Sequence, residues 1–220
     1  EGTFANIIGG CNFSNNSAGH VKTFWTNVDA FNTDNTFSPG VVAVEAFDPH
    51  NGNSFNGLTI AEIIKPLGGD AFYLFRTNAS YEGVTLEPNV HIKMALNQYF
   101  DARTGLIANG SANEPVIIEG ENNNQGYWQG IRIQGDATLN HFQIKDGGSN
   151  DGASTYSAPF SAGLTVQSPP NENVTVTNCE ITNAGGYGVV IKQGAGDFSI
   201  DSVASNNTLQ GALGGYFDAN

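Results

Sequence analysis

The chain has 220 residues, of which 13% are charged, and 21 acidic residues against 8 basic ones give a net charge of -13. This acidity argues against nucleic acid and anionic membranes as partners, because both are bound through dense lysine and arginine. The 27 asparagines and 28 glycines favour turns and left-handed backbone positions, which excludes a mostly helical protein. No apolar stretch approaches the roughly 20 residues that cross a bilayer, so no membrane span is predicted.

The first 66 residues follow no clean period, and we expect an irregular start to one domain spanning 1–220, with regular coils over 67–220. The segment IGGCNFSNNS around Cys11 is similar to VTNCEITNAG around Cys179, 168 residues later. This similarity predicts that the beginning of the chain is already a coil, such as the tail of a preceding repeat. Thr59–Lys65 (TIAEIIK) is the one helix-like stretch, and Pro66 would end it.

A short motif recurs three times: a glycine followed by an apolar, a variable and an apolar residue, at 130–133, 163–166 and 188–191. A second alternating piece follows each copy, and the pieces align position by position at offsets of 37 and 24. Ser149–Ser161 would supply the extra residues of the longer coil as a loop. The pattern predicts these inward stacks: Ile131/Leu164/Val189, Ile133/Val166/Ile191, Leu139/Val176/Ile200 and Phe142/Cys179/Val203.

Very short alternating strands that recur about every 24 residues are typical of a parallel β-helix, in which each strand pairs with its equivalent in the next coil. The length then corresponds to about nine coils stacked at about 4.8 Å. A β-sandwich is the competing prediction, since it also uses many short strands. It gives no reason for one motif to recur three times in register.

Upstream, the segments VTLEPNVHI (84–92), TGLIANGSANEPVII (104–118) and GYWQGI (126–131) carry a resemblance. They resemble bacterial secreted or surface β-helix repeat proteins of the pectate-lyase-like superfamily, over about residues 80–210. Asn89 stands where the pattern usually has glycine. The resemblance implies an all-β, right-handed parallel β-helix, a single-stranded solenoid, on an extracellular or cell-surface protein.

The two cysteines are expected to remain unpaired. Seven coils would separate Cys11 from Cys179 by roughly 30 Å, whereas a disulfide requires Cα atoms within about 7 Å. We expect Cys179 to be a small buried residue in an inward stack rather than a nucleophile.

Candidate sites are confined to loops. The outward rows place no two carboxylates on adjacent coils, so no catalytic residue is predicted there: Gln143/Glu180/Ala204, Asn140/Thr177/Asp201, Arg132/Thr165/Val190 and Gln134/Gln167/Lys192.

Asp146, Asn150 and Asp151 are the candidate oxygen ligands for Ca²⁺, with a second set at Asp48, Asn51, Asn53 and Asn56. Tyr127, Trp128, Tyr156 and Phe160 are the candidate aromatic platform for a sugar. No cofactor is required by the sequence, and calcium is the one candidate.

Two functions follow. The favoured one is a non-enzymatic structural or adhesive module of an extracellular bacterial fibre. Both ends of the chain have coil-like sequence without an evident cap, so we expect head-to-tail self-association or a covalent tandem array, with a glycan as a further partner. The alternative is a carbohydrate-active β-helix enzyme, a polysaccharide lyase or glycoside hydrolase using loop carboxylates such as Asp146 and Asp151, or a glycan-binding module.

Overall fold

The computed structural model describes residues 8–31, 34–38, 42–47, 61–149, 161–167, 173–191, 207–210 and 216–218. In these residues the regular elements are β-strands, apart from one 3-10 helix at Trp25–Ala30. The strands are, in chain order, β1 (Asn12–Phe13), β2 (Val21–Phe24), β3 (Thr36–Phe37), β4 (Val44–Phe47), β5 (Ala61–Ile64), β6 (Tyr73–Phe75), β7 (Ala79–Leu86), β8 (His91–Met94), β9 (Tyr99–Asn109), β10 (Val116–Gly120), β11 (Gly130–Ile133), β12 (Asp136–Asn140), β13 (Phe142–Lys145), β14 (Ala162–Val166), β15 (Val174–Thr177), β16 (Glu180–Thr182), β17 (Tyr187–Ile191), β18 (Thr208–Gln210) and β19 (Tyr216–Asp218).

Every pairing between these described strands is parallel. One sheet has eight strands in the order β18-β16-β13-β10-β8-β6-β4-β2, and a second sheet has nine. Strands β1 and β3 form a separate pair. A β-sandwich is built from antiparallel sheets, so that alternative is wrong for this part of the chain.

The nine-stranded sheet has two arms that share the long strands β7 and β9. The first arm contains 79–81, 99–102, β11, β14, β17 and β19, and the second contains β5, 83–86, 105–109, β12 and β15. Between residues 73 and 191 the chain passes repeatedly from the eight-stranded sheet to the first arm and then to the second arm. This order, with parallel pairing throughout, is compatible with a β-helix-like fold.

The predicted inward stacks are confirmed where the structure describes them. Ile131 pairs with Leu164, and Leu164 with Val189; the same register aligns Ile133, Val166 and Ile191. Leu139 pairs with Val176, and both are buried. Ile200 and Val203, the predicted third members of two stacks, lie outside the described residues, as do Asp201 and Lys192 of the outward rows.

The glycines and asparagines explain the sharp turns between strands. Gly130, the first residue of the recurring motif, has φ +101, and a Cβ there would collide with the carbonyl oxygen of Ala162. Asn89 has φ 65, which is the left-handed conformation that favours the glycine usual at this position. Asparagine tolerates that conformation better than most residues with a Cβ, so the turn is kept.

Two expectations about local structure are wrong. Thr59–Lys65 is not helical where it is described: Ala61–Ile64 is strand β5, paired with 83–86. Parallel pairing in the ladder outweighs the weak local preference of so short a segment. In the last coil Glu180 pairs with Thr208, not with Ala204, so the offset is 28 rather than 24 residues. The same offset is inconsistent with Val203 as the neighbour of Cys179 in its predicted stack.

The beginning of the described chain is already part of the stack. Strands β2 and β4 belong to the eight-stranded sheet, so parallel pairing extends well upstream of residue 67. The 3-10 helix packs against β5, β2 and β4, and its Val28 is fully buried. This helix covers β5, the edge strand of the second arm. The sequence analysis did not predict the helix.

Candidate functional site

The aromatic residues proposed as a sugar platform are only partly accessible. Trp128 is fully buried, and its Nε1 donates a hydrogen bond to the carbonyl oxygen of Lys145 at 2.7 Å. Its ring is therefore part of the core rather than of an exposed face. Tyr127 is partly buried against the same core, and its hydroxyl accepts a hydrogen bond from Asn122 Nδ2 at 3.1 Å. Tyr156 and Phe160 lie outside the described residues.

The predicted calcium ligands are also described only in part. Asp146 is buried in a turn with φ 63, and its Oδ1 accepts a 2.6 Å hydrogen bond from Asn183 Nδ2. Burial raises the pKa of Asp146, against the opposing effect of this hydrogen bond. Within the described ranges no group of three His, Cys, Asp or Glu side chains could hold a metal ion. Asn150 and Asp151 lie outside those ranges, as do Asp48, Asn51, Asn53 and Asn56.

Most of the positive charge of the chain is neutralised by ion pairs. Five of the eight basic residues lie within 4.0 Å of a carboxylate oxygen: Lys22, Arg76, Lys93, Arg103 and Arg132. Cations that are already paired are poor recognition groups for an anionic polysaccharide, because binding would first have to break the existing pairs.

The tightest of these pairs is buried beneath the outer surface of the first arm. Asp101 is 1% exposed, and Arg132 donates Nε and Nη2 hydrogen bonds to its two oxygens at 2.8 and 2.5 Å. Gln134 Nε2 and Ser80 Oγ also donate to this carboxylate, at 2.9 and 3.2 Å. The register places Thr165 in the same row, as predicted, but it is buried rather than exposed. The carboxylate is thus fully satisfied and serves to hold three coils together.

A second group lies on the outer face of the eight-stranded sheet. Glu119 Oε1 is 3.0 Å from His91 Nε2 and 3.2 Å from Lys93 Nζ. Burial alone would raise the pKa of Glu119, but the hydrogen bond from His91 and the charges of His91 and Lys93 lower it to about 2. The arrangement fixes a half-buried imidazole beside a carboxylate.

Glu62 is an unusual ionisable residue, because its carboxyl group is buried in the core. It lies on β5 in the inward row that continues with Val84 and Leu106, and it is 3% exposed. Its Oε2 is buried without a hydrogen-bond partner among the described residues. Burial, with a smaller contribution from the charge of Asp29, raises the pKa of Glu62 to about 9. The sequence pattern held no signal for this residue, because 59–65 was interpreted as a helix-like stretch and no inward row was assigned to it.

The outer face of the second arm carries an open groove of about 450 Å³. Ile63 and Ile107, each 50% exposed, form part of it together with Thr85 and Thr138. No lysine or arginine lines the groove. Its walls are mostly apolar with threonine hydroxyls, and the ionisable residues that line it are Glu62 and Asp136, so the groove offers no cation to an acidic ligand.

The cysteine prediction is confirmed. Both cysteines are free, with Cys11 exposed and Cys179 buried. Burial raises the pKa of the Cys179 thiol to about 11, which makes it a poor nucleophile at neutral pH.

The similarity between the two cysteine segments has a structural counterpart. Asn35 accepts a hydrogen bond from the Cys11 amide and donates to the Ile8 carbonyl, at 3.1 and 2.6 Å. Asn207 likewise accepts a hydrogen bond from the Cys179 amide and donates one to the Val176 carbonyl, both at 2.8 Å.

Comparison with known proteins adds no family. No family model, curated protein or solved structure matches the chain. No helix among the described residues is both long and apolar enough to cross a membrane.

Proposed function

We propose that this chain is a non-enzymatic structural or adhesive module of an extracellular bacterial fibre or surface protein, folded as a right-handed parallel β-helix that stacks end to end with further copies. The repeated passage from the eight-stranded sheet to the two arms supports the solenoid. Its secreted and bacterial character comes from the resemblance of the segments at 84–92, 104–118 and 126–131.

The observation that carries the proposal is the unbroken inward row of the eight-stranded sheet. One residue from each strand pairs with the next from one edge of the sheet to the other: Val21, Val44, Tyr73, Ile92, Ile118, Ile144, Ile181 and Leu209. An open edge leaves backbone groups and core surface unpaired, and a similar neighbour at each end of the row would cover them. Another copy with the same row supplies that neighbour.

The charges support a structural role over polysaccharide cleavage. A lyase or hydrolase needs carboxylates placed roughly 5–10 Å apart at an accessible bond, or a cation that neutralises the acidic substrate. Asp101 and Glu119 are instead held by basic partners. Asp146 is held by Asn183.

Glycan binding is a second candidate role, favoured by the groove on the second arm. A neutral sugar suits it best, because the groove offers apolar walls, threonine hydroxyls and the carboxylate of Asp136 without a cation. Binding there would accompany the structural role rather than replace it.

Two measurements test the proposal. Light scattering and electron microscopy on the intact chain should show ordered polymers at tens of micromolar. Incubation with a panel of polysaccharides, with and without Ca²⁺, should give no turnover. Calcium-dependent cleavage by a monomeric protein would contradict the structural module and favour the carbohydrate-active enzyme.

A further inference from the structure

The two edges of the eight-stranded sheet have the same polarity. Strand β2 forms one edge and β18 the other, and neither has a second partner among the described strands of this sheet. All pairings between them are parallel, so both edge strands run in the same direction. Translation of one copy along the stack can therefore bring its β18 beside β2 of the next copy in the parallel orientation of the rest of the sheet.

We propose that a second copy of this chain adds its β18 beside β2, with Leu209 opposite Val21 and Gln210 opposite Lys22. The inference rests on the proposed end-to-end stacking and names the strands and the register that make the contact. The contact is heterologous, so it propagates into a filament unless its rotation closes a ring.

The inward row supports this register. Leu209 pairs with Ile181 and Val21 with Val44, so both edge residues belong to the apolar row that crosses the whole sheet. A slip of one residue would place Leu209 opposite His20 or Lys22. It would also exchange the inward and outward faces of the added strand, which a buried face does not tolerate.

The outward row gives a second, independent reason. Lys22 and Gln210 are the first and last members of one row across the sheet: Lys22 pairs with Glu45 at one edge, and Gln210 pairs with Thr182 at the other. The Lys22 side chain is 65% exposed, and its ammonium lies 3.1 Å from Glu45 Oε1 on the β4 side. An ammonium has three donors, so Lys22 can also donate a hydrogen bond to a neutral carbonyl such as that of glutamine on its opposite side. A basic residue at the Gln210 position would repel Lys22.

Phe24 adds apolar surface to this edge. Its side chain is 39% exposed, and its ring centroid lies 4.8 Å from that of Phe47 on the next strand. An exposed ring on an edge strand is a common liability of isolated sheets, and pairing with another strand removes it.

Cysteine cross-linking tests the register. In a Cys11→Ser background, a Lys22→Cys protein is mixed with a Gln210→Cys protein under mild oxidation. Directly paired residues on neighbouring strands are about 5 Å apart, within the Cα range of a disulfide. We expect a cross-linked dimer from this pair. The matched control pairs Lys22→Cys with Thr182→Cys, one strand further away at about 10 Å, and should give about tenfold less product.

The outcomes separate this inference from the function on which it rests. Polymers of unmodified protein without the 22–210 cross-link, or with an equal 22–182 product, would overturn the register and leave stacking intact. The absence of both polymers and cross-link would overturn the stacking itself. Melting curves of each single variant test whether it is folded; Lys22 and Thr182 are at outward positions of the sheet.

Discussion

Replacing Glu62 by glutamine should make the protein more stable at neutral pH. The carboxyl group is 3% exposed, its Oε2 has no partner in the described structure, and its pKa is about 9 instead of 4.5. The folded state therefore keeps the proton of Glu62 at pH 7, whereas the unfolded state has released it. Glutamine has nearly the same shape as the protonated acid but cannot ionise in either state.

The sign follows from proton counting. Between pH 4.5 and 9 the folded protein binds one proton more than the unfolded chain, so the free energy of unfolding falls as the pH rises, by about 1.4 kcal/mol per pH unit. The stabilisation that the protonated group retains below pH 4.5 is lost progressively towards pH 9. At pH 7 the free energy of unfolding has fallen by about 3 kcal/mol from its value at pH 4.5, and the full loss between pH 4.5 and 9 is about 6 kcal/mol.

Chemical denaturation of the parent and of Glu62→Gln at several pH values between 4 and 9 measures this effect. The two proteins should have similar stability near pH 4, and the variant should be about 3 kcal/mol more stable at pH 7. Glu114→Gln, at an exposed position, is the matched control and should follow the parent. If the difference between Glu62→Gln and the parent does not change with pH, Glu62 is not a buried acid and the position of β5 is wrong.

Three further predictions concern the core, the ion pairs and the thiols. Val176→Asp should unfold the protein, because an unpaired charge beneath Leu139 costs several kcal/mol; an unchanged melting temperature would show that this row does not face inward. Asp101→Ala should lower the free energy of unfolding by about 3–5 kcal/mol, because Arg132 loses its buried partner; a loss below about 1 kcal/mol in denaturant titrations would mean that the pair is solvated. Cys11 should react with a thiol reagent in the native state and Cys179 only after unfolding; equal native rates would contradict the burial of Cys179.

The recurring glycine motif carried most of the fold information in the sequence. It predicted the register of β11, β14 and β17 because each motif copy has a glycine followed by two apolar residues in alternation, and strand pairing aligns identical patterns. The last coil was misaligned because β18 is only three residues long. Turn lengths between coils vary freely, and so short a strand offers too few positions to distinguish an offset of 24 from one of 28.

The candidate sites were less predictable for a different reason. The partners of Asp101 and the burial of Glu62 are decided by contacts between coils, with Asp101 and Arg132 31 residues apart. A pattern of apolar alternation contains no information about which charged residues meet across coils. Trp128 was placed in a surface platform because it lies just before the first clear copy of the motif, whereas the structure buries its ring and satisfies its Nε1 with a backbone carbonyl.

Amide hydrogen exchange at two protein concentrations tests the central claim most directly. If copies stack end to end through the eight-stranded sheet, the β2 amides that do not donate to β4, those of Lys22 and Phe24, should be weakly protected at low concentration and strongly protected at tens of micromolar. The amides of the central strand β10, which is paired on both sides within one chain, should be protected equally at both concentrations. Strong protection of β2 that does not change with concentration, in a protein that remains monomeric, would contradict end-to-end stacking.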